Sequence, residues 1–458
     1  MQVGESSPVD CVIMDLERAV ATDFPRVKDE LAELVRIPSV SAAGFDPEMV
    51  RQSALKVAEL LEASGLEEVR LLELEGAHPA VYGELPGPPG APSVLLYAHH
   101  DVQPPGPDSE WDTPPFEPVE DNGRLYGRGT SDDKCGIVTH AAVVRAFSGS
   151  PPVGIKVLIE GEEEIGSRHL EAFIDRYQEM FAADVIVIAD TGNWSVGEPG
   201  LTTSLRGLVD CTVEVRTLGD AVHSGMFGGP VPDALMTLAR ILATLHNDDG
   251  SVAVPGRTTG TSSLDIGEDD FRASSGVVPG LDLIGKGTVT ERLWFQPSVS
   301  VLAIDAPPIA EAINQLVPVA RAKVSMRLAP GDDSEEGLRA LVEHLESAAP
   351  WGAEVTVTPG AHGEAISLDT TGPGYDAWRE ASAVAYEAET IEMGAGGSIP
   401  FVSAFQEKYP EASILLVGAS DPTSRYHGPN ESLELEDLRK GVLTEAQALV
   451  NLAVISRS

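Results

Sequence analysis

Short runs of apolar residues alternate with helical patterns along the first two hundred residues. Three of these runs, SVLLYAH, GIKVLIE and DVIVIAD, are rich in branched apolar side chains, which predicts strands buried on both faces of a parallel sheet. They end on His99, run into the triplet Glu162 to Glu164, and end on Asp190. Because ligands collect at the carboxyl ends of strands in open α/β sheets, the pattern predicts a site for divalent cations, and it favours two of them.

The same patterning predicts one domain interrupted by another. From Pro25 the segment PRVKDELAELVRI has helical spacing, and DPEMVRQSALKVAELLEASG repeats that spacing and stops at Gly65. Strands and helices then alternate up to Asp190, as a doubly wound α/β layer requires.

Near Leu201 the pattern changes. The strands GLVDCTVEVRT, ARAKVSMRL and AEVTVTP alternate with the helices PDALMTLARILATL and SEEGLRALVEHLESA, which predicts a small α+β domain whose sheet is covered on one face. The Gly-, Ser- and Thr-rich stretch from Gly250 to Thr290 predicts a long excursion. After Gly372 the first domain resumes with YDAWREASAVAYE, SILLVG and LEDLRKGVLTEAQALVNLAVI. We therefore predict a metal-binding domain of residues 1–200 and 370–458 and a smaller domain of residues 201–369.

The net charge and the cysteine content indicate which partners and which kinds of site are not expected. The 458 residues hold 31 Lys and Arg against 72 Asp and Glu, a formal charge of −41, so nucleic acid and anionic membranes are not expected partners. The excess acid predicts a solvated acidic surface, with adaptation to high salt as the alternative. Cys11, Cys135 and Cys211 form no disulfide or zinc-binding pattern. The start of the chain lacks a signal sequence and no apolar run could span a bilayer, which predicts a cytoplasmic protein.

Two motifs contain candidate metal ligands that could instead have a purely structural role. In YAHHDVQPPG, Asp101 is placed to accept a hydrogen bond from the second ring nitrogen of His99, as carboxylates behind metal-bound histidines do, although a purely structural histidine also fits. His100 should point to the opposite side. In LYGRGTSDDKCG, Asp132 stands at a Gly-rich turn where its carboxylate could bridge two cations, but Ser131 or Asp132 could also cap the next helix.

The motif EGEEEIGS places several carboxylates directly after a buried strand. A run of acids is usually a solvated face. Here the acids lie against a strand end, where like charges need a cation or a shared proton. Asp190, in IADTG, adds a carboxylate from the next strand end.

Seven motifs together resemble one enzyme family. HHDVQPPG, GRGTSDDKCG, EGEEEIGS, ADTGNW, HSGMFGGPVPDA, GGSIPF and HGPNE occur in the order seen in the cocatalytic dinuclear zinc peptidases that include carnosine dipeptidase, glutamate carboxypeptidase, aminoacylase and succinyl-diaminopimelate desuccinylase. HSGMFGG and GGSIPF are most similar to the carnosine-dipeptidase branch. The resemblance implies a zinc-peptidase-type α/β catalytic domain, doubly wound, interrupted by a ferredoxin-like α+β lid that also forms a homodimer.

The resemblance also implies a set of metal ligands. Asp132 would bridge the two ions, His99 and Asp190 would hold one of them, and Glu164 and His427 would hold the other. The two divalent ions would be Zn²⁺, with Mn²⁺ or Co²⁺ as alternatives.

The remaining implied roles concern catalysis and substrate binding. Glu163 would be the general base, Asp101 would orient the metal-bound His99, and His223 would stabilise the oxyanion in the active site of the partner subunit. The substrate carboxylate would be cradled by Arg327 and the backbone of Gly396, Gly397 and Ser398.

These roles imply a cytoplasmic metallopeptidase that hydrolyses dipeptides or short peptides with a free C-terminal carboxylate, by a metal-bridging hydroxide. An N-acyl amino acid amidohydrolase, such as a deacylase or desuccinylase, is the alternative enzyme, because both classes cut an amide beside a carboxylate. A non-catalytic binding relative is the third alternative.

Overall fold

The computed structural model describes residues 8–397 and 399–456, with the side chains of residues 8–13 and of Pro400 left out of account. The chain forms two compact units. The larger comprises Met1–Thr203, Leu368–Met393 and Pro400–Ser458, and the smaller comprises Ser204–Ser367 and Gly394–Ile399.

Helices within the described residues are α1 (Pro8–Val35), α2 (Pro47–Ser64), α3 (Lys134–Ala146), α4 (Leu170–Phe181), α5 (Ser224–Phe227), α6 (Ala234–Ala243), α7 (Glu268–Ser275), α8 (Val289–Trp294), α9 (Ser334–Ser347), α10 (Pro373–Tyr386), α11 (Pro400–Lys408) and α12 (Leu435–Ile455). None of these helices combines the length and the apolar character needed to cross a membrane.

Strands within the described residues are β1 (Glu67–Leu72), β2 (Ala80–Leu85), β3 (Ser93–His99), β4 (Val119–Asp121), β5 (Arg124–Tyr126), β6 (Gly154–Glu160), β7 (Val185–Ile188), β8 (Gly200–Leu205), β9 (Gly207–Arg216), β10 (Val222–His223), β11 (Ser298–Asp305), β12 (Gln315–Leu316), β13 (Val319–Leu328), β14 (Glu354–Gly363), β15 (Ile366–Ser367), β16 (Ile391–Ala395), β17 (Ser413–Leu416) and β18 (Ser432–Glu434).

The larger unit is built on a sheet with the strand order β1-β2-β6-β3-β7-β17-β8. Its four central strands, β6, β3, β7 and β17, are parallel to one another, while β1, β2 and β8 pair antiparallel at the two sides. The three apolar runs are the strands β3, β6 and β7, as the sequence predicts. Their carboxyl ends therefore meet along one edge of the sheet.

Helix α1 begins earlier than the sequence predicts. The predicted start was Pro25, but the helix runs from Pro8 and Pro25 lies inside it. The reason is visible in the apolar stripe: Leu16 and Val20 are buried, in helical register with Val27 and Leu31. The packing of this longer stripe on the core outweighs the cost of proline within a helix.

The smaller unit contains the antiparallel sheet β11-β13-β9-β14. Along β9 alternate residues from Gly207 to Val215 are buried, and the helices α6 and α9 pack on this sheet, so one face is covered, as expected for an α+β unit. The predicted excursion between residues 250 and 290 includes the short helix α7.

The sequence predicts that all of residues 370–458 belong to the first domain, but one segment of this range lies in the smaller unit. Gly394–Ile399 belongs to the smaller unit. An added Cβ on Gly394 would lie 2.9 Å from the Cβ of Trp294, and Arg206 donates a hydrogen bond to the carbonyl oxygen of Gly396. These close contacts explain why the segment leaves the larger unit.

Candidate metal centre

His99, at the end of β3, is fully buried with its ring fixed from both sides. Its Nδ1 lies 3.1 Å from the carbonyl oxygen and 3.5 Å from a carboxylate oxygen of Asp101. Its Nε2 lies 3.0 Å from Asp132 and 3.7 Å from Asp190. His100 turns the other way, as predicted, and its Nε2 lies 2.9 Å from the carbonyl oxygen of Pro79. Of these two neighbouring histidines, His99 is therefore the one that presents a ring nitrogen to the carboxylates of Asp132 and Asp190.

The carboxylate of Asp132 lies between two histidine rings. One oxygen is 3.0 Å from Nε2 of His99, and the other is 3.0 Å from Nε2 of His427. Neither Ser131 nor Asp132 caps α3, whose N-cap is Asp133 without a capping side-chain bond. The tight turn before Asp132 needs a glycine, because Gly129 has φ +85° and an added Cβ would lie 2.7 Å from Val102.

The three consecutive glutamates after β6 have different surroundings. Glu162 is buried and accepts hydrogen bonds from the backbone N–H of His78 and of His169. Glu164 lies 3.2 Å from Nε2 of His427. Glu163 lies between them in the sequence, where it begins a 3-10 turn, and it belongs to neither of the ligand groups found among the described residues.

Asp101 and Gln103 hold this turn in place. The carboxylate of Asp101 accepts hydrogen bonds from the backbone N–H groups of Glu163 and Glu164. Gln103 donates its backbone N–H and its side-chain amide to the two carboxylate oxygens of Glu164, at 2.9 and 2.8 Å. Asp101 thus contacts both the ring of His99 and the turn that carries Glu163 and Glu164.

The described residues contain two groups with metal-binding geometry. One is His99, Asp132 and Asp190, and the other is Asp132, Glu164 and His427. In each group the ligand atoms lie within 4.8 Å of one another. Imidazole nitrogens and carboxylate oxygens suit divalent cations such as Zn²⁺ and Mn²⁺. The residues therefore fit two cations that share Asp132.

The protonation of the metal-free chain is consistent with this fit. The hydrogen bonds that the His427 ring donates to the carboxylates of Asp132 and Glu164 raise the pKa of His427 to about 10. Burial, and then the charge of Asp132, raise the pKa of Glu164 to about 7. Burial raises the pKa of Asp190, and burial together with the Asp190 charge raises that of Glu163. Without cations, bound protons reduce the negative charge of the carboxylate cluster, and metal binding would displace these protons.

The residues predicted to stabilise the oxyanion and to bind the substrate carboxylate belong to the smaller unit. His223 is exposed and ends β10, where its Nδ1 accepts a hydrogen bond from the backbone N–H of Gly225. Arg327 lies on β13, and burial lowers its pKa. Gly396 and Gly397 follow β16, whereas Ser398 lies outside the described residues.

Arg206 was missed in the sequence analysis. It is nine-tenths buried, and it donates hydrogen bonds to the carbonyl oxygen of Gly396 and to Oγ of Ser298. Burial, and then the positive charge of Arg327, lower its pKa to about 10. The local signal is a basic residue directly before the predicted strand GLVDCTVEVRT, and it is weak.

The family model for peptidase family M20/M25/M40 matches residues 95–451. The cysteinylglycine-S-conjugate dipeptidase of Corynebacterium striatum is 33% identical over 433 residues, covering 93% of this chain and 95% of that protein. The beta-Ala-His dipeptidase of Homo sapiens is 29% identical over 400 residues, covering 82% of this chain and 78% of that protein. Among solved structures, the dipeptidase Dug1p of Saccharomyces cerevisiae matches with a TM-score of 0.84 at 23% identity, covering 96% of this chain and 98% of that one.

Proposed function

The chain belongs to peptidase family M20/M25/M40, and from that premise we propose that it hydrolyses the peptide bond of dipeptides or short peptides with a free C-terminal carboxylate. It is a metallopeptidase with divalent cations as cofactors. Its similarity to two dipeptidases over most of its length supports the substrate class. The observation that carries the proposal is the position of Asp132, which is common to both ligand groups.

We propose Zn²⁺ as the metal at both positions, with Mn²⁺ or Co²⁺ as alternatives. His99 and Asp190 would hold one ion, Glu164 and His427 the other, and Asp132 both. Two divalent cations, when bound, lower the pKa of a water molecule and polarise a carbonyl group.

Glu163 is the proposed general base. It follows the same strand end as the ligand Glu164 but belongs to neither ligand group, so its carboxylate is available to take the proton of the attacking water and to deliver it to the leaving amine. Asp101 would keep this machinery aligned, because it contacts both the ring of His99 and the backbone of Glu163.

The smaller unit carries the residues that we propose for substrate binding. Arg327 and the backbone of Gly396, Gly397 and Ser398 would receive the C-terminal carboxylate, which a planar guanidinium binds with two parallel hydrogen bonds. The buried Arg206 supports this proposal, because it holds the carbonyl group of Gly396 and adds positive charge near Arg327.

We propose that the protein is a homodimer in which His223 enters the partner's active site and stabilises the oxyanion. The edge strand β11 supports an interface, because Val301, Leu302 and Ile304 on it are exposed. Ile309, in the turn that follows, is 96% exposed. An exposed apolar edge strand can pair with another chain, and exposed apolar patches mark interaction sites.

A mixing experiment tests this arrangement. His223→Ala and Glu163→Gln homodimers should each be nearly inactive. After subunit exchange, activity should return, because about half the dimers of a random mixture are heterodimers with one intact site. No recovery after demonstrated exchange, or a monomer by light scattering, would contradict the shared site.

We also propose a cytoplasmic location. Cys135 and Cys211 are free thiols in the described part of the chain, as is usual in reducing compartments. Fractionation of the source cells would test it, and activity confined to the external fraction would contradict it.

The substrate class is tested with three related compounds on metal-stripped enzyme reloaded with Zn²⁺, Mn²⁺ or Co²⁺. They are a dipeptide, its C-terminal amide and its N-acetyl derivative. The free dipeptide should be cleaved, and its amide should react at least about a hundredfold more slowly, because a neutral amide cannot accept the two charge-assisted hydrogen bonds that a guanidinium donates to a carboxylate. Equal rates would contradict the carboxylate site, and faster cleavage of the N-acetyl form would favour the amidohydrolase alternative.

A further inference from the structure

The carboxylate of Glu431 is fully buried inside the loop that carries Asp132. It is the last residue of HGPNE, the motif that also contains His427, and it belongs to neither ligand group. Its two oxygens accept five hydrogen bonds, from Nη1 of Arg128 at 2.7 Å, the backbone N–H of Gly129 at 3.0 Å, the backbone N–H and Oγ of Ser131 at 2.9 and 3.0 Å, and the backbone N–H of Asp132 at 3.2 Å. The Glu431 side chain therefore fixes the backbone conformation of the turn before Asp132.

Arg128 extends this contact to the other ligand segments. Its Nη2 donates to the carbonyl oxygen of Gly428, next to His427, at 3.1 Å, and to that of Pro104, in the segment after His99, at 3.4 Å. The backbone N–H of Gly127 donates to the carbonyl oxygen of Glu431 at 2.9 Å. The pair of Arg128 and Glu431 thus joins the three segments that present His99, Asp132 and His427.

A buried ion pair of this kind is a poor source of stability. Desolvation of the two charges roughly cancels their attraction, and apolar side chains of similar volume are often as stable. What an apolar side chain cannot do is accept the backbone N–H groups of Gly129, Ser131 and Asp132, so the carboxylate fixes a conformation that packing alone would leave undefined. Side chains behind metal ligands act in this way on metal affinity.

We propose that Glu431 is a positioning residue of the metal centre, which holds Asp132 between His99 and His427 without touching cation or substrate. The inference rests on the proposed dinuclear site. Because Asp132 is common to both ligand groups, displacing it should weaken the binding of both cations. By contrast, Gln103 contacts only Glu164 among the candidate ligands, so its loss should weaken one.

The test is a titration of full-length, metal-stripped protein with Zn²⁺ and with Co²⁺. Glu431→Gln keeps the shape but places an amide N–H₂ group against N–H donors, so it should bind both ions about 10- to 100-fold more weakly and should change the absorption spectrum of the Co²⁺-loaded protein. The matched control is Glu445→Gln, since Glu445 is an equally buried carboxylate of the same unit and lies 2.9 Å from Nδ1 of His140. The control should lower the melting temperature yet keep both affinities. Wild-type affinities and spectrum in Glu431→Gln would overturn the inference.

A milder variant covers the case in which Glu431→Gln does not fold. Ser131→Ala removes only the Oγ donor and should weaken both ions about three- to fivefold, the value of one hydrogen bond, whereas unchanged affinity would overturn the inference. The wild-type titration separates the two proposals. Fewer than two ions per wild-type chain would refute the dinuclear site, while two ions in wild type with unaltered binding in the variants would refute the role of Glu431 alone.

Discussion

Replacing Glu163 by glutamine should separate catalysis from metal binding. Glu163 is absent from both ligand groups, so the variant should still bind two cations per chain. Its amide cannot take or return a proton, and the loss of a general base costs about 10²- to 10⁴-fold in kcat, or about 2.7 to 5.4 kcal/mol of transition-state stabilisation at about 1.36 kcal/mol per tenfold. Metal content and rate should be measured on the same sample.

The same substitution should also affect the melting temperature of the metal-free protein. Burial and the charge of Asp190 raise the pKa of Glu163, so a neutral amide avoids the free-energy cost of either protonating or ionising that buried carboxyl group in the metal-free cluster. The melting temperature of metal-free Glu163→Gln should therefore be equal to or higher than that of wild type. A damaged fold would instead lower both metal content and melting temperature.

Glu162→Gln is the matched control, because the same change is made one residue earlier. Glu162 accepts hydrogen bonds from the backbone of His78 and His169 and lies in neither ligand group. Its variant should lose stability but retain kcat within a few fold. The assignment of the base is refuted if Glu163→Gln retains more than about a tenth of the wild-type rate, or if the two variants lose activity equally.

Three further predictions concern metals, pH and packing. With each cation at about a hundred times its Kd, binding should stabilise the fold by about 2.7 kcal/mol per site. A chelator should therefore lower the melting temperature, and Zn²⁺ should restore it. An unchanged melting temperature would contradict this prediction. The pKa of His427 is raised to about 10 and that of Glu164 to about 7, so bound protons must leave as metal binds. The apparent metal affinity should therefore rise from about pH 6 to about pH 8. Titration calorimetry that shows the same affinity at every pH would exclude such proton release. An added Cβ on Gly136 would lie 2.8 to 3.0 Å from three side-chain atoms, whereas one on Gly441 of α12 would meet nothing within 4 Å. Denaturant unfolding should show Gly136→Ala to be about 1 to 3 kcal/mol less stable and Gly441→Ala about 0.5 to 1 kcal/mol more stable, and the same sign for both would contradict the packing argument.

The sheet edge was predictable because it depends on strand direction. Once SVLLYAH, GIKVLIE and DVIVIAD are taken as parallel strands, His99, the glutamates after β6 and Asp190 must lie near one another, and they do. The sequence does not predict the start of α1, because proline is typical of the first turn of a helix, whereas the buried stripe continues before Pro25 through Leu16 and Val20. Tertiary packing decided that boundary.

The division of labour among the three glutamates could not be obtained from periodicity. They lie in and just before a 3-10 turn, which fits neither the period of a helix nor that of a strand. Glu162 contacts the backbone near His78 and His169, while Glu164 contacts Gln103 and His427. Only the family resemblance distinguished Glu163 from Glu164 before the contacts were known.

The supporting residues were missed for a different physical reason. Gln103 meets Glu164 across 61 positions of the chain, and Glu431 meets Ser131 across 300, so no local spacing links them. In addition, three of the five donors to Glu431 are backbone N–H groups, which every residue except proline possesses and which leave no mark on the sequence. A ligand reveals itself by the chemistry of its own side chain, whereas a residue that positions a ligand is defined by the backbone conformation it fixes, and that conformation exists only in the folded protein.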